Sequence, residues 1–327
     1  MVSPCHVISF KNSYMKTAMT GYCKYKLLLS FLIIAMLQSE AQTDMDAIMM
    51  NKHQFCNGFV YDYSSWDPYW EGKLKRINEN IGTASTQAVM FMSNYGITNN
   101  LNVMASVPYV WTKVTGGTLH GMKGLQDVSA FIKWRPVTYS IDKNNKISLF
   151  LLGGISTPLS DYVIDFLPMS IGLGSTNLIS KGMIDYKWKR FTVTGSAAFI
   201  WRSNIKINRT SYYDTELHLT NEVKMPNAAQ YQLRTGYRGK YFMAEALLTN
   251  WTTLGGFDIT RNNMPFMSNR MNATMIGASL KYTVKNFTNF SFTAGSSYTI
   301  AGRNMGQSKA FNVGAFYAFY VNKRAKH

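Results

Sequence analysis

Residues 289–300 read NFSFTAGSSYTI. Phe290, Phe292, Ala294, Ser296, Tyr298 and Ile300 occupy the even positions; Asn289, Ser291, Thr293, Gly295, Ser297 and Thr299 occupy the odd ones. Side chains of a strand alternate faces with period two, so this strand has one apolar face and one polar face. The apolar face belongs against a protein core or against hydrocarbon, and that choice decides the fold.

Bulk composition narrows it. The 327 residues are 46% hydrophobic and 14% aromatic, with only 16% charged, below the roughly 25% usual in soluble domains. Mean hydropathy is −0.13. Past residue 41 no apolar run approaches the ~20 residues that a membrane helix needs. A lipid-facing barrel passes this test, because inward polar residues dilute its outward apolar ones.

Residues 27–37, LLLSFLIIAML, form the one long apolar stretch. Basic residues precede it and small residues, Ser39 and Ala41, follow. This is the layout of a secretory signal over 1–41 cut before Gln42, with Met15 a candidate start. Eleven apolar residues are too few for an anchor. Export leaves Cys56 as the single cysteine, so no internal disulfide forms and the thiol reads as a small strand residue. Removing 1–41 takes away Lys11, Lys16, Lys24, Lys26 and Glu40, leaving +14 of the formal +17. The bases are dispersed and no nucleic-acid motif appears, so anionic lipid headgroups or anionic solutes are the expected partners rather than nucleic acid.

The opening pattern recurs. Twelve strands are predicted, at 53–64, 83–95, 101–112, 124–136, 146–157, 172–188, 190–203, 227–237, 240–250, 269–284, 288–300 and 307–321. Their connections alternate in length: long loops such as SSWDPYWEGKLKRINENIG and SNIKINRTSYYDTELHLTNEVKMP, tight turns such as GITNN, WKR and RGK. A soluble sandwich has no reason to sort loops by parity. An outer-membrane barrel has, with short periplasmic turns and long extracellular loops. Tryptophans are expected to form an aromatic girdle, with Trp111, Trp201 and Trp251 at the long-loop rim and Trp134 and Trp188 at the short-turn rim. The expected fold is all-β: a transmembrane antiparallel up-and-down β-barrel over 53–321. It is preceded by a periplasmic N-terminal segment (42–52) and followed by a basic tail (322–327). In the segment QTDMDAIMMNK, the flexible apolar Met45, Met49 and Met50 make it a candidate lumen plug.

Inward positions carry both charges: Asp127, Lys133, Arg135, Asp185, Lys187, Arg202, Arg234, Arg238, Glu245 and Lys281. They read either as a structural ion-pair network or as a polar pore lining with a cationic bias. The histidines past the signal are His53, His120, His218 and His327. None stands in a recognisable nucleophile arrangement, and no metal-ligand cluster or cofactor motif occurs, so catalytic and cofactor sites are not expected.

The stretches YGITNNLNVMASVPYVW, GLQDVSAFIKWRP, GGISTPLSDY and SIGLGSTNL resemble the outer-membrane proteins named after the meta-pathway of phenol degradation, in their Bacteroidetes-type form. Matching residues are Tyr95–Thr98, Val107–Pro108–Tyr109, Gly124–Asp127 and Lys133–Trp134–Arg135. The sequence departs at Gln126, where that family tends to carry a second glycine, and at the tail after Tyr320, where barrels commonly end on an aromatic residue read by the assembly machinery. The resemblance implies a transporter of small, hydrophobic or aromatic compounds in a Gram-negative outer membrane. Its partners would be lipid, lipopolysaccharide, the barrel-assembly machinery and a small-molecule solute. The other readings are a structural or receptor/adhesin barrel acting through its extracellular loops, for which YDYSSWDPYW suits sugar contact, and an outer-membrane hydrolase.

Overall fold

The computed structural model describes residues 42–259 and 264–321. The signal at 1–41 and the tail at 322–327 lie outside the described residues. Twelve long strands run antiparallel in chain order: β1 (Gln54–Trp66), β2 (Ala84–Thr98), β3 (Leu101–Val114), β4 (Asp127–Ser140), β5 (Asn145–Pro158), β6 (Asn177–Trp188), β7 (Phe191–Arg202), β8 (Ala228–Arg238), β9 (Phe242–Thr253), β10 (Asn272–Thr283), β11 (Phe290–Arg303) and β12 (Lys309–Tyr320). Each pairs with its sequence neighbours, and β1 pairs with β12, from Gln54 opposite Tyr320 to Ser65 opposite Lys309. The sheet therefore closes, and closure leaves no unpaired edge for hydrocarbon to meet.

Alternation sorts the side chains. On β11, Phe290, Phe292, Tyr298 and Ile300 are exposed while Ser291 and Thr299 are buried. The same holds around the ring, where Phe59, Ile132, Ile184, Leu233 and Val313 stand outward and exposed. An apolar surface that encircles the molecule is far larger than a soluble monomer tolerates. It is the lipid face of a transmembrane barrel. The apolar side of NFSFTAGSSYTI meets oil, and its polar side meets the lumen.

Strand ends shift by up to five residues from the sequence reading, and three strands start three or more residues later than expected. β4 begins at Asp127 rather than 124, because Lys123–Leu125 forms its own short pairing with Tyr109–Trp111 of β3. β6 begins at Asn177 rather than 172. Gly172 lies under the Tyr162 ring, and Gly174, at φ 70°, lies under Ile164, so this stretch packs as loop. β10 begins at Asn272, because the Asn269 side chain accepts from the Phe266 amide (2.6 Å) and closes a turn before the strand.

One rim carries tight turns. Asn99–Asn100 joins β2 to β3, and Lys189–Arg190, with Lys189 at φ 54°, joins β6 to β7. Both ends of the barrel chain lie at this rim, where the Asn51 amide donates to the Tyr320 hydroxyl at 3.0 Å. The other rim carries the long loops, with the short Asn304–Ser308 connection as the exception. Loops from β5–β6, β7–β8 and β9–β10 share a small apolar core of Ile205, Ile207, Tyr212, Val223, Met225 and Met267, against which Ile164, Leu167 and Phe266 pack. In the first loop Trp70 is buried and covers Gly302, while Trp66 covers Gly306. These aromatic residues fold onto the barrel rim.

An ion pair also ties this rim. Arg303 donates to both carboxylate oxygens of Asp258, at 2.7 and 2.6 Å. With the Asn304 amide also donating, this holds the Asp258 carboxyl at about 2. The folded value lies below the ordinary 3.8, so the tie is fully present above about pH 4 and is lost as pH falls through about 2. Pepsin should leave the 254–271 loop intact at pH 4 and cleave it near pH 2. In Asp258→Asn it should already cleave at pH 4.

Candidate functional site: a filled lumen

Residues 42–50 lie inside the barrel, and Asn51 and Lys52 are exposed at its turn-side rim. Gln42 and Met50 are fully buried, and Asp46, Ala47 and Ile48 nearly so. The Gln42 carbonyl accepts from Asn94 of β2 (2.8 Å), and its side-chain amide meets that of Asn102 on β3 at 2.6 Å. On β4 the Lys133 ammonium, itself fully buried, reaches the Asp46 carboxylate (3.2 Å) and the Thr43 carbonyl (3.0 Å). Lys181 of β6 holds the Asp44 carboxylate at 2.9 Å. On β8 the Arg234 guanidinium donates to the Met45 carbonyl at 3.2 Å. The segment is thus fastened to walls six strands apart.

Two aspartates on the segment facing two wall lysines explain its placement. A buried lysine without a counter-charge is costly, so each pair holds the segment as firmly as it neutralises the wall. The methionines fill what remains. Met50 packs with Cys56, Val60, Met92 and Phe316, and Met49 packs on Met104, Phe150, Leu152 and Met183. Entry is tight: a Cβ on Gly96 would sit 2.1 Å from the Asn51 carbonyl oxygen. Gly96→Ala should cost about 1–3 kcal/mol by overpacking, read as a lower temperature for losing the folded band on a detergent gel.

The wall beside the segment carries a second network. Glu245 accepts from Arg234 at 2.6 and 3.0 Å and from Arg238 at 2.8 Å. Arg238 also reaches Asp185 (3.2 Å), whose carboxylate accepts from Thr194 at 2.6 Å. At the turn rim, Lys187 and Lys281 line a cavity of about 330 Å³ with Arg190, Arg238 and Lys240. Arg135 lies lower still, donating to Asn100 (2.8 Å) and the Asn99 carbonyl (3.1 Å) of the β2–β3 turn. Asp127 stands at the long-loop end and accepts from Tyr162 at 2.8 Å. Arg202, on the same rim, stacks over Trp251 with 5.3 Å between guanidinium and ring.

That contact corrects the girdle. Trp134, Trp188 and Trp201 are exposed on the outer wall, and Trp111 sits there against Tyr61 and Tyr109. Trp251 faces the lumen. It shares parity on β9 with inward Glu245, six residues away, and period two gives both the same face. Lys181, absent from the sequence-based set, shares parity with Asp185 and Lys187 and could have been found that way. The histidines are dispersed: His53 meets the Tyr95 hydroxyl at 3.1 Å, and His218 meets Asp214 at 3.0 Å and stacks on Tyr212. His120 is exposed in a loop, and His327 lies outside the described residues.

Between the segment and the wall of β8–β12, β1 and β2 remains a cavity of about 500 Å³. Met45, Met90, Met92, Met243 and Met275 line it together with Gln232, Thr293 and Asn312.

Comparison with solved structures places this architecture. The crystal structure of an outer membrane channel from Pseudomonas putida F1 aligns with a TM-score of 0.67 at 12% identity, over 86% of this chain and 100% of that one. The fold is that of a twelve-stranded outer-membrane β-barrel. Looser alignments include the NanC porin (TM-score 0.40, 11% identity, 79% and 98% covered) and the translocator domain of the autotransporter NalP from Neisseria meningitidis (0.43, 10%, 93% and 96%). No protein-family model matches the chain, and no curated protein matches it.

Proposed function

We propose that the protein is a passive channel of a Gram-negative outer membrane, with long loops outside, turns facing the periplasm and residues 42–52 as a plug. The observation that carries this reading is the lumen itself: polar, charged and fastened shut by a segment that only side-chain contacts hold. An eight-stranded barrel is filled by its own side chains and a sixteen-stranded one leaves open water. Twelve strands need an additional filler, and here the chain supplies it. The methionine-lined cavity beside the plug suits small solutes with apolar surface, because thioether side chains are deformable and weakly polar. The motifs at Tyr95–Thr98 and Gly124–Asp127 support a kinship with the phenol meta-pathway family, although the solute is argued from the cavity. A receptor reading is not favoured, since Trp66 and Trp70 are spent on the barrel's own rim.

Liposome uptake tests the proposal. Small uncharged solutes should enter liposomes carrying the protein faster than empty ones, and faster again when 42–52 is deleted. Uptake equal to that of empty liposomes in both cases would refute a channel.

A further inference from the structure

The geometry points to a binding site for a small carboxylate with a short apolar body, built around Arg202 at the loop-side mouth of the lumen. This narrows the solute class of the channel reading and rests on it. Among the described residues the Arg202 guanidinium makes no ion pair and no hydrogen bond; its one contact of note is the Trp251 ring. An arginine half-withdrawn from water without an acid is an unbalanced charge inside a wall whose other interior arginines, Arg234 and Arg238, are both paired. Stacking on Trp251 occupies the guanidinium's face and leaves its edge donors free. Those donors match a carboxylate in two parallel hydrogen bonds.

The surroundings fit the same ligand. Arg202 and Trp251 line a cavity of about 200 Å³ with Gln230, whose side-chain amide has no hydrogen-bond partner among the described residues, and with the apolar Ile179, Ala198 and Ile200. The lining therefore offers a cation, a free amide and an aliphatic surface. The volume is below the range of drug-sized pockets, which limits the occupant to a few heavy atoms. Asp44 also borders the cavity. Its charge is answered by Lys181 at 2.9 Å, so it does not cancel the attraction of Arg202. A solute entering past the loops would meet this site where the cavity abuts the plug at Asp44.

The test is calorimetric titration of the purified full-length protein with butyrate, and with butyramide as the uncharged isostere. Butyrate should bind saturably and butyramide at least tenfold more weakly. Arg202→Met should abolish butyrate binding, and Arg202→Lys, which keeps the charge but loses the planar fork, should weaken it about fivefold or more. Trp251→Leu should weaken it too, by freeing the guanidinium. The folded band on a detergent gel checks each variant, and Arg202→Lys decides the matter should Arg202→Met not fold. Absence of saturable butyrate binding, equal binding of butyramide, or binding unchanged in Arg202→Lys would overturn the site. The channel reading fails separately: butyrate bound but not admitted to liposomes sinks the channel and leaves the site. Butyrate admitted without saturable binding does the reverse.

Discussion

Deleting residues 42–52 should raise single-channel conductance by roughly an order of magnitude, given that the segment turns a partly open twelve-stranded lumen into a nearly filled one. The segment crosses from Asn94, Asn102 and Lys133 on one wall to Arg234 on the wall opposite. A side cavity of about 500 Å³ near Met243 and Met275 remains beside it. Because two ion pairs hold it, a milder variant should act in the same direction. Asp44→Asn with Asp46→Asn leaves Lys133 and Lys181 unanswered, and recordings should show brief openings to the conductance of the deletion. Identical traces from all three proteins would mean that the segment does not obstruct the path.

Glu245→Ala should be the most destabilising single substitution in the wall. The carboxylate is buried and serves two arginines at once, Arg234 at 2.6 Å and Arg238 at 2.8 Å. Its removal leaves Arg234 with only a backbone carbonyl of the plug, while Arg238 retains Asp185. Stranding a buried charge typically costs about 3–5 kcal/mol. Glu245→Gln, which keeps hydrogen-bond acceptors, should fall between. The readout is the temperature or urea concentration at which the folded band disappears. Equal thresholds for Glu245→Ala and the unaltered protein would show that the network contributes little, as exposed pairs do.

How much of this was legible in the sequence depends on which face of a strand is asked about. Phe290 to Ile300 alternate because one face meets hydrocarbon and the other does not, and that constraint acts on every spanning strand. All twelve strands were therefore visible, along with the sorting of long and short connections. Boundaries failed where loop packing overrode the pattern, as at Gly172–Gly174 beneath Tyr162 and Ile164. Trp251 reads as a girdle residue from its place at a rim, but its parity with Glu245 turns it into the lumen. In the plug, the methionines suggested a filler, but the aspartates that fasten it gave no signal. A carboxylate's partners 87 or 137 residues away, Lys133 and Lys181, cannot be inferred from one chain without its register. The shared core of three loops was hidden for a similar reason: Ile205, Val223 and Met267 follow no period.

Adjacent residues of one strand face oil and water in turn. In a Cys56→Ser background lacking 42–52, single cysteines at Phe292 and Thr293 test it directly in bilayers. A charged, membrane-impermeant thiol reagent should modify Thr293→Cys and spare Phe292→Cys. A fluorophore on Phe292→Cys should be quenched by brominated lipid tails, and one on Thr293→Cys should not. Equal labelling and equal quenching at the two positions would contradict a closed barrel with a wet interior.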